Sequence, residues 1–304
     1  MLFDETTLHK LNQLSLVARQ VRAGVIKGER RSLKRGSSIE FADYRNYAPG
    51  DDLRRLDWNV FARLERPFIK MMEEEEDLAV YVLLDASRSM DWGEGSANKL
   101  NYGLHLAAGL GAIALGAGDR FSFLFLQPET RLPGAESAGN QIGPLRGSQQ
   151  IMRLMAFLEQ KTAHQSPAAG FDLNAALRSF GLSALRSGLV FIISDLFDPN
   201  GIQTGLNFLQ GRGFEVNLLH VLCPAELDPP LSGDLRLIDS ETGQPQELSL
   251  DGSMLRLYKQ RMQAWQADLQ KDCRQRGINY LLLNTSENWD KVILFNLRRS
   301  GLVK

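Results

Sequence analysis

The chain has 304 residues, 35 Lys plus Arg against 36 Asp plus Glu, a formal net charge of -1 and 43% hydrophobic residues. These are globular values, and they exclude a disordered acidic tail, a collagenous chain and a uniformly basic nucleic-acid coat. The two cysteines, Cys223 and Cys273, form no CxxC pair, which excludes a disulfide framework and a cysteine zinc site and fits a reducing compartment.

In chain order, Leu8, Leu11, Leu14, Ala18, Val21 and Val25 recur at spacings of three and four, which predicts an amphipathic helix capped by Asp4 or Thr6 and ended at Gly28. Asp4 and Glu5 stand where a signal peptide needs basic residues. The longest weakly polar stretch, 104–118, has 15 residues, short of the roughly 20 a membrane span needs. A cytoplasmic protein without membrane insertion is expected. From Lys27 to Asp77 the composition shifts, with 23 charged residues in 51, and ends in the acidic run 73–77. Ala48-Pro49-Gly50-Asp51-Asp52 is a turn signal there, so short strands and turns are expected around it. The basic stretch from Lys27 to Arg35 reads as a solvated face; no interleaved aromatics or nucleic-acid motif accompany it.

From Leu78 the pattern alternates. Apolar runs at 78–84, 121–126, 189–194, 215–221 and 278–283 read as strands, and 100–115, 149–160, 173–185, 202–210 and 289–298 as helices. Ser253 can cap a long helix with the stripe Tyr258, Met262, Trp265, Leu269 and Cys273, ended by Gly277. The prediction is an α/β fold with a doubly wound, mostly parallel sheet. An N-terminal helix and charged extension would occupy 1–77, the α/β domain 78–304, and an inserted hairpin about 232–251.

Ligands of such sheets bind beyond the carboxyl ends of the strands, where strand order reverses. Asp85, Ser87 and Ser89 follow one apolar run and Asp195 follows another. Alternate residues of a tight loop can point at one centre, and an all-oxygen cluster suits Mg2+, Ca2+ or Mn2+. Taken singly, Ser87 reads better as a helix cap or turn closer, and it is the three-residue spacing together with Asp195 that favours a site. His9, His105, His164 and His220 are scattered, with no HExxH spacing, and neither GxSxG nor GxxxxGK[ST] is present. Gly109-Leu110-Gly111 lacks the third glycine of a dinucleotide fingerprint, and nothing nominates a base for a Ser87 nucleophile.

Asp85-x-Ser87-x-Ser89 after a buried strand resembles the metal-ion-dependent adhesion site of von Willebrand factor type A domains. Upstream, Gly36, Glu40-Phe41, Arg45-x-Tyr47-x-Pro49-Gly50-Asp51-Asp52, Arg55-x-Asp57-Trp58, Ala62-Arg63 and Glu75 are similar to the signature of a bacterial family catalogued as domain of unknown function fifty-eight. The hairpin sequence 237–243 resembles it too, so the likeness spans roughly 36–283. Members join this segment to a von Willebrand type A-like domain.

The resemblance implies a non-enzymatic protein–protein interaction module. Asp85, Ser87 and Ser89 would ligate Mg2+ or Mn2+, Asp195 would support the ion, and a partner's Glu or Asp would fill the open position. The family's usual ligating Thr is replaced here by Phe171, which cannot ligate, so Asp172 or water would substitute. Family members are often encoded beside MoxR-type AAA+ ATPases, which implies such an ATPase as partner and an adaptor or co-chaperone role. Arg45, Tyr47, Pro49, Gly50, Asp51, Asp52, Asp57 and Trp58 would be structural, with Trp58 a core anchor, and Arg55, Arg63 and Glu75 an intramolecular charge network. Two rival readings stand beside this one. One is a metal-dependent hydrolase or phosphoryl-transfer enzyme using Asp85 and Asp195, against which neither strand end offers a clear phosphate clamp beyond Arg88. The other is nucleic-acid binding through the stretch from Lys27 to Arg35.

Overall fold

The computed structural model describes residues 5–11, 13–18, 39–48, 51–53, 56–74, 78–126, 140–162, 172–239 and 243–304. The chain divides into two units, residues 1–27 with 78–304, and residues 28–77.

The larger unit begins with α1 (Glu5–Leu11), shorter than its periodicity predicts. The chain leaves the helix because its backbone finds partners at the C-terminus. Val17 N–H donates to Leu302 O at 2.9 Å and Lys304 N–H to Ser15 O at 2.9 Å, while Leu11, Leu16 and Ala18 sit in the core. The rest of the predicted helix lies outside the described residues.

In the smaller unit β1 (Ile39–Asn46) pairs antiparallel with β2 (Phe68–Glu74), and α2 (Trp58–Leu64) lies between them in sequence. Asp57 starts α2 by accepting from Asn59 N (2.9 Å) and Val60 N (3.2 Å), which satisfies two amides that the first helical turn leaves unpaired. Asp51 closes the expected turn, accepting from Ala48 N at 2.9 Å and Arg45 Nη2 at 2.8 Å. Leu56 and Ile69 are buried and bridged. Trp58 is not a core anchor. It is 62% exposed, on a helix with no buried residue, and meets Phe61 edge-on at 6.2 Å. The inward group is its neighbour Asp57, turned in to cap. Pro49, Gly50, Arg55 and Glu75 lie outside the described residues.

Beyond Leu78 the elements are β3 (Ala79–Asp85), α3 (Lys99–Gly116), β4 (Arg120–Leu126), β5 (Gln141–Arg146), α4 (Ile151–Thr162), α5 (Leu173–Ser183), β6 (Leu189–Ser194) and α6 (Gln203–Gly211). Then come β7 (Glu215–Leu222), α7 (Pro224–Leu227), the hairpin β8 (Gly233–Ile238) and β9 (Pro245–Leu250), α8 (Gly252–Gln275), β10 (Asn279–Asn284) and α9 (Trp289–Lys291), which runs into a π-helical turn, Val292–Leu297. The sheet order is β10-β7-β6-β3-β4-β5, parallel throughout except for β5, as the doubly wound α/β prediction requires. β5 escapes sequence reading because Gly143 and Pro144 interrupt its pattern; an edge strand tolerates both. The cap of α8 is Asp251, accepting from Met254 N at 2.8 Å, and Ser253 donates to the same carboxylate. An ionised carboxylate at a helix start outcompetes a hydroxyl. Among the described residues no helix is long and apolar enough to cross a membrane.

The period-2 alternation of the strands sorts the core. Val80, Val82, Leu84, Phe191, Ile193, Leu219 and Val221 face α3 and α4, while Leu83, Val190, Ile192, Val216 and Leu218 face α5, α6 and α8. The Gly109-Leu110-Gly111 pair serves packing: a Cβ at Gly109 would lie 2.2 Å from Ile293 Cδ1, and at Gly111 2.3 Å from Leu154 Cδ2. From β3 the chain winds outward through β4 to β5, then returns to β6 and winds the other way. Strand order therefore reverses between β3 and β6, which opens the crevice at their carboxyl ends.

The β3–β6 seam is tight. A Cβ at Gly188 would stand 2.1 Å from the carbonyl oxygen of Ala79, a backbone atom that cannot swing away. Gly188→Ala is expected to lower the unfolding free energy by about 2 kcal/mol or more, measured by urea denaturation.

Candidate functional site

β3 and β6 deliver their last residues side by side at the reversal point. Asp85, 3% exposed, ends β3, and its carboxylate accepts from Ser87 N (2.9 Å) and from the Ser194 hydroxyl of β6 (2.6 Å). Leu196 N–H in turn donates to Ser194 Oγ at 3.0 Å. After Ser87 the chain enters a single 3-10 turn, Arg88–Met90, which brings Ser87 Oγ and Ser89 Oγ to 3.0 Å. That separation equals the roughly 3 Å between adjacent oxygens of an octahedral Mg2+ site with bonds of about 2.1 Å. The DxSxS residues therefore do converge. Among the described residues no group of three or more His, Cys, Asp or Glu could hold a metal, so an ion here would rest on hydroxyls as much as on carboxylates.

Asp195 is 1% exposed and already has a cation. Its Oδ2 accepts from Lys99 Nζ at 2.7 Å and its Oδ1 from Phe197 N at 3.2 Å. Lys99, the first residue of α3 and 0% exposed, also pairs with Glu226, whose second oxygen accepts from Cys223 N at 2.8 Å to box the start of α7. The ammonium lies 5.2 Å from the Phe197 ring centroid. Burial and the helix N-terminus both oppose a positive charge there. Against the burial, the carboxylates of Asp195 and Glu226 prevail and hold the Lys99 pKa above the usual lysine value.

The same physics pushes Asp85 the other way. Burial first, then the negative charge of Asp195, raise its carboxyl from 3.8 to about 7, against the hydrogen bonds from Ser194 and Ser87. His220 on β7 is wholly buried. Its Nε2–H donates to the Asp195 carbonyl at 3.0 Å, so Nδ1 accepts from the Tyr280 hydroxyl at 2.6 Å. Burial lowers its pKa to about 4, so the ring is neutral. Leu196 has φ of 60°, a left-handed conformation strained for a branched residue and held by the hydrogen bonds on either side of it.

Asp172 caps α5 by accepting from Ala175 N at 3.0 Å and is exposed, which commits the carboxylate expected to replace the missing Thr. Phe171 lies outside the described residues. Lys99, Ser194, Glu226 and His220 complete the cluster, and the spacing argument had passed over all four. One signal was available for Lys99: it is the single Lys, Arg, Asp or Glu in the helical run 99–116.

A family profile described as "Protein of unknown function DUF58" matches residues 43–268. Uncharacterised proteins of Mycobacterium tuberculosis and Mycobacterium bovis are each 30% identical over 296 residues, 96% of this chain and 89% of theirs. Two solved structures, each 16% identical, align with 74% of this chain and 98% of theirs. They are an aerotolerance-related membrane protein from Bacteroides fragilis carrying multiple mutations to serine (TM-score 0.42) and the conserved hypothetical protein BatB from Bacteroides thetaiotaomicron (TM-score 0.40).

The two shifted groups have opposite pH signatures. Between about pH 4 and 7 folded Asp85 keeps a proton that the unfolded chain has released, so its contribution is full at low pH and is lost as pH rises through about 7. Neutral His220 contributes above its ordinary value of 6.5, and that contribution is lost as pH falls toward about 4. Asp85→Asn removes only the first effect. In EDTA-containing buffer, the unfolding free energy of wild type minus that of Asp85→Asn is expected to fall steadily from about pH 4 to 7 and then level, as read by urea denaturation.

Proposed function

The chain belongs to the DUF58 family, and from that premise we propose that it is a protein–protein interaction module whose strand-end site receives an acidic side chain of a partner through a divalent ion. The observation that carries this reading is the convergence of Ser87 Oγ and Ser89 Oγ at 3.0 Å beside the buried carboxyl of Asp85. Asp85, Ser87 and Ser89 would hold Mg2+ or Mn2+, leaving positions for water and for the partner. The ion would supply a positive charge that both ionises Asp85 and attracts a carboxylate, a charge-assisted contact that adds specificity to a surrounding surface. The polar groups that flank this set are held inside the protein as well. Ser194 is buried and donates to Asp85, and both nitrogens of His220 are engaged. These commitments favour recognition over acid–base work. Family resemblance favours a MoxR-type AAA+ ATPase as partner, with this chain as its adaptor or co-chaperone in the cytoplasm.

Calorimetric titration of Mg2+ and Mn2+ tests the ion. Wild type is expected to take up one ion, and Asp85→Ala to lose binding by about tenfold or more, since it removes the one carboxylate in the set. Absence of heat from wild type would end the ion-mediated mechanism, and Mg2+-dependent turnover abolished in Asp85→Ala would replace it with the hydrolase reading. Co-purification with the MoxR-type ATPase tests the partner independently.

A further inference from the structure

We propose that Lys99 is a tethered cation that withholds Asp195 from the divalent ion, leaving a weak ion site that a partner's carboxylate completes. The inference rests on the ion-mediated reading above and concerns how that site is regulated.

Each oxygen of Asp195 has an internal donor, as each oxygen of Asp85 does, but one of those on Asp195 is a cation. Oδ2 takes the Lys99 ammonium at 2.7 Å, and Oδ1 takes the amide of Phe197 at 3.2 Å. Lys99 cannot turn away into solvent, because it is 0% exposed and its second carboxylate, Glu226, is itself anchored on Cys223 N. Of the three acids Asp85, Asp195 and Glu226, two pair with the one ammonium. Of the residues Asp85, Ser87, Ser89 and Asp195, what remains for an ion is one carboxylate, Asp85, and two hydroxyls. Affinity of oxygen sites for hard divalent cations rises with the number of charged ligands, so a set with a single carboxylate is weak by construction. A fourth carboxylate, arriving on a partner, would supply the missing charge. Lys99 thus leaves the ion weakly held until a partner's carboxylate joins it.

The test is Mn2+ titration of the full chain, read by the loss of the free-ion electron paramagnetic resonance signal, with thermal melts to establish that each variant folds. Lys99→Met frees Asp195 and is expected to bind Mn2+ roughly tenfold tighter than wild type or more. Lys99→Met/Asp195→Asn is expected to fall back to the wild-type level. No gain in Lys99→Met, or a gain retained in the double variant, overturns the proposal. If Lys99→Met does not fold, Asp195→Asn alone decides. In that variant Lys99 keeps Glu226, and Mn2+ affinity is expected to stay within about threefold of wild type. A larger loss would place Asp195 in the ion's shell and overturn the inference. Asp85→Ala separates the two levels. Wild-type binding that vanishes in Asp85→Ala while Lys99→Met binds no tighter defeats this inference alone. Absence of Mn2+ binding in every protein defeats both this inference and the ion-mediated function.

Discussion

A buried ammonium has to be answered by buried carboxylates, and much of the strand-end architecture follows from that requirement at Lys99. The lysine enters the interior at the start of α3, a helix whose inward residues are otherwise apolar. Its partners come from two other places in the chain: Asp195 after β6 and Glu226 in α7. Breaking such a buried pair by removing one member typically costs about 3–5 kcal/mol, because the other charge is left uncompensated. The three elements are thereby tied at one point. The Asp195 carboxylate also accepts from Phe197 N, one of the two hydrogen bonds that flank the left-handed Leu196. The tie also fixes the root of the β8–β9 hairpin, where the Tyr258 hydroxyl donates to Glu226 O at 2.6 Å. The exposed Lys259–Asp228 pair beside it adds little, being screened by water.

Against that anchored background Asp85 is the group left with unfinished chemistry. It is buried with a second acid acting on it, among the described residues its partners are hydrogen-bond donors rather than a cation, and its proton is held to about pH 7. Two buried acids at the reversal point of the sheet thus have different fates. Asp195 is neutralised by the protein's own lysine. Asp85 needs a proton or an external cation, and the hydroxyls of Ser87 and Ser89, bonded to each other, lie in the turn that follows it. His220 belongs to the support of Asp195, with the Trp265 ring edge-on at 5.0 Å and Trp265 in turn stacked on Phe197 at 5.5 Å.

In the smaller unit the polar residues of the family signature work on the backbone. Asp51 closes a turn and Asp57 starts a helix, each by accepting amide hydrogens that would otherwise go unpaired. The apolar members behave differently. Trp58, Phe61 and Leu64 recur every third residue of α2 and are exposed.

The legible parts were those whose signal is local. Strands buried on both faces declare themselves as apolar runs, so β3, β6 and β7 were placed within a residue or two, and the parallel sheet followed from their alternation with helices. The DxSxS cluster spans five residues, short enough for spacing alone to imply convergence. Where the signal was misleading, a distant partner had intervened. The N-terminal helix stops at Leu11 because Ser15 and Val17 pair with Leu302 and Lys304. Asp57 rather than Trp58 turns inward because the helix start needs an acceptor. By itself, then, the sequence determined the fold class, the family and the position of Asp85, Ser87 and Ser89, because periodicity and short spacing are properties of neighbouring residues. Only the tertiary structure decided that Asp195 serves a lysine 96 residues away, and that the same lysine reaches Glu226 across 127. Charges separated that far along the chain acquire partners only when burial brings them together and makes an unpaired charge intolerable.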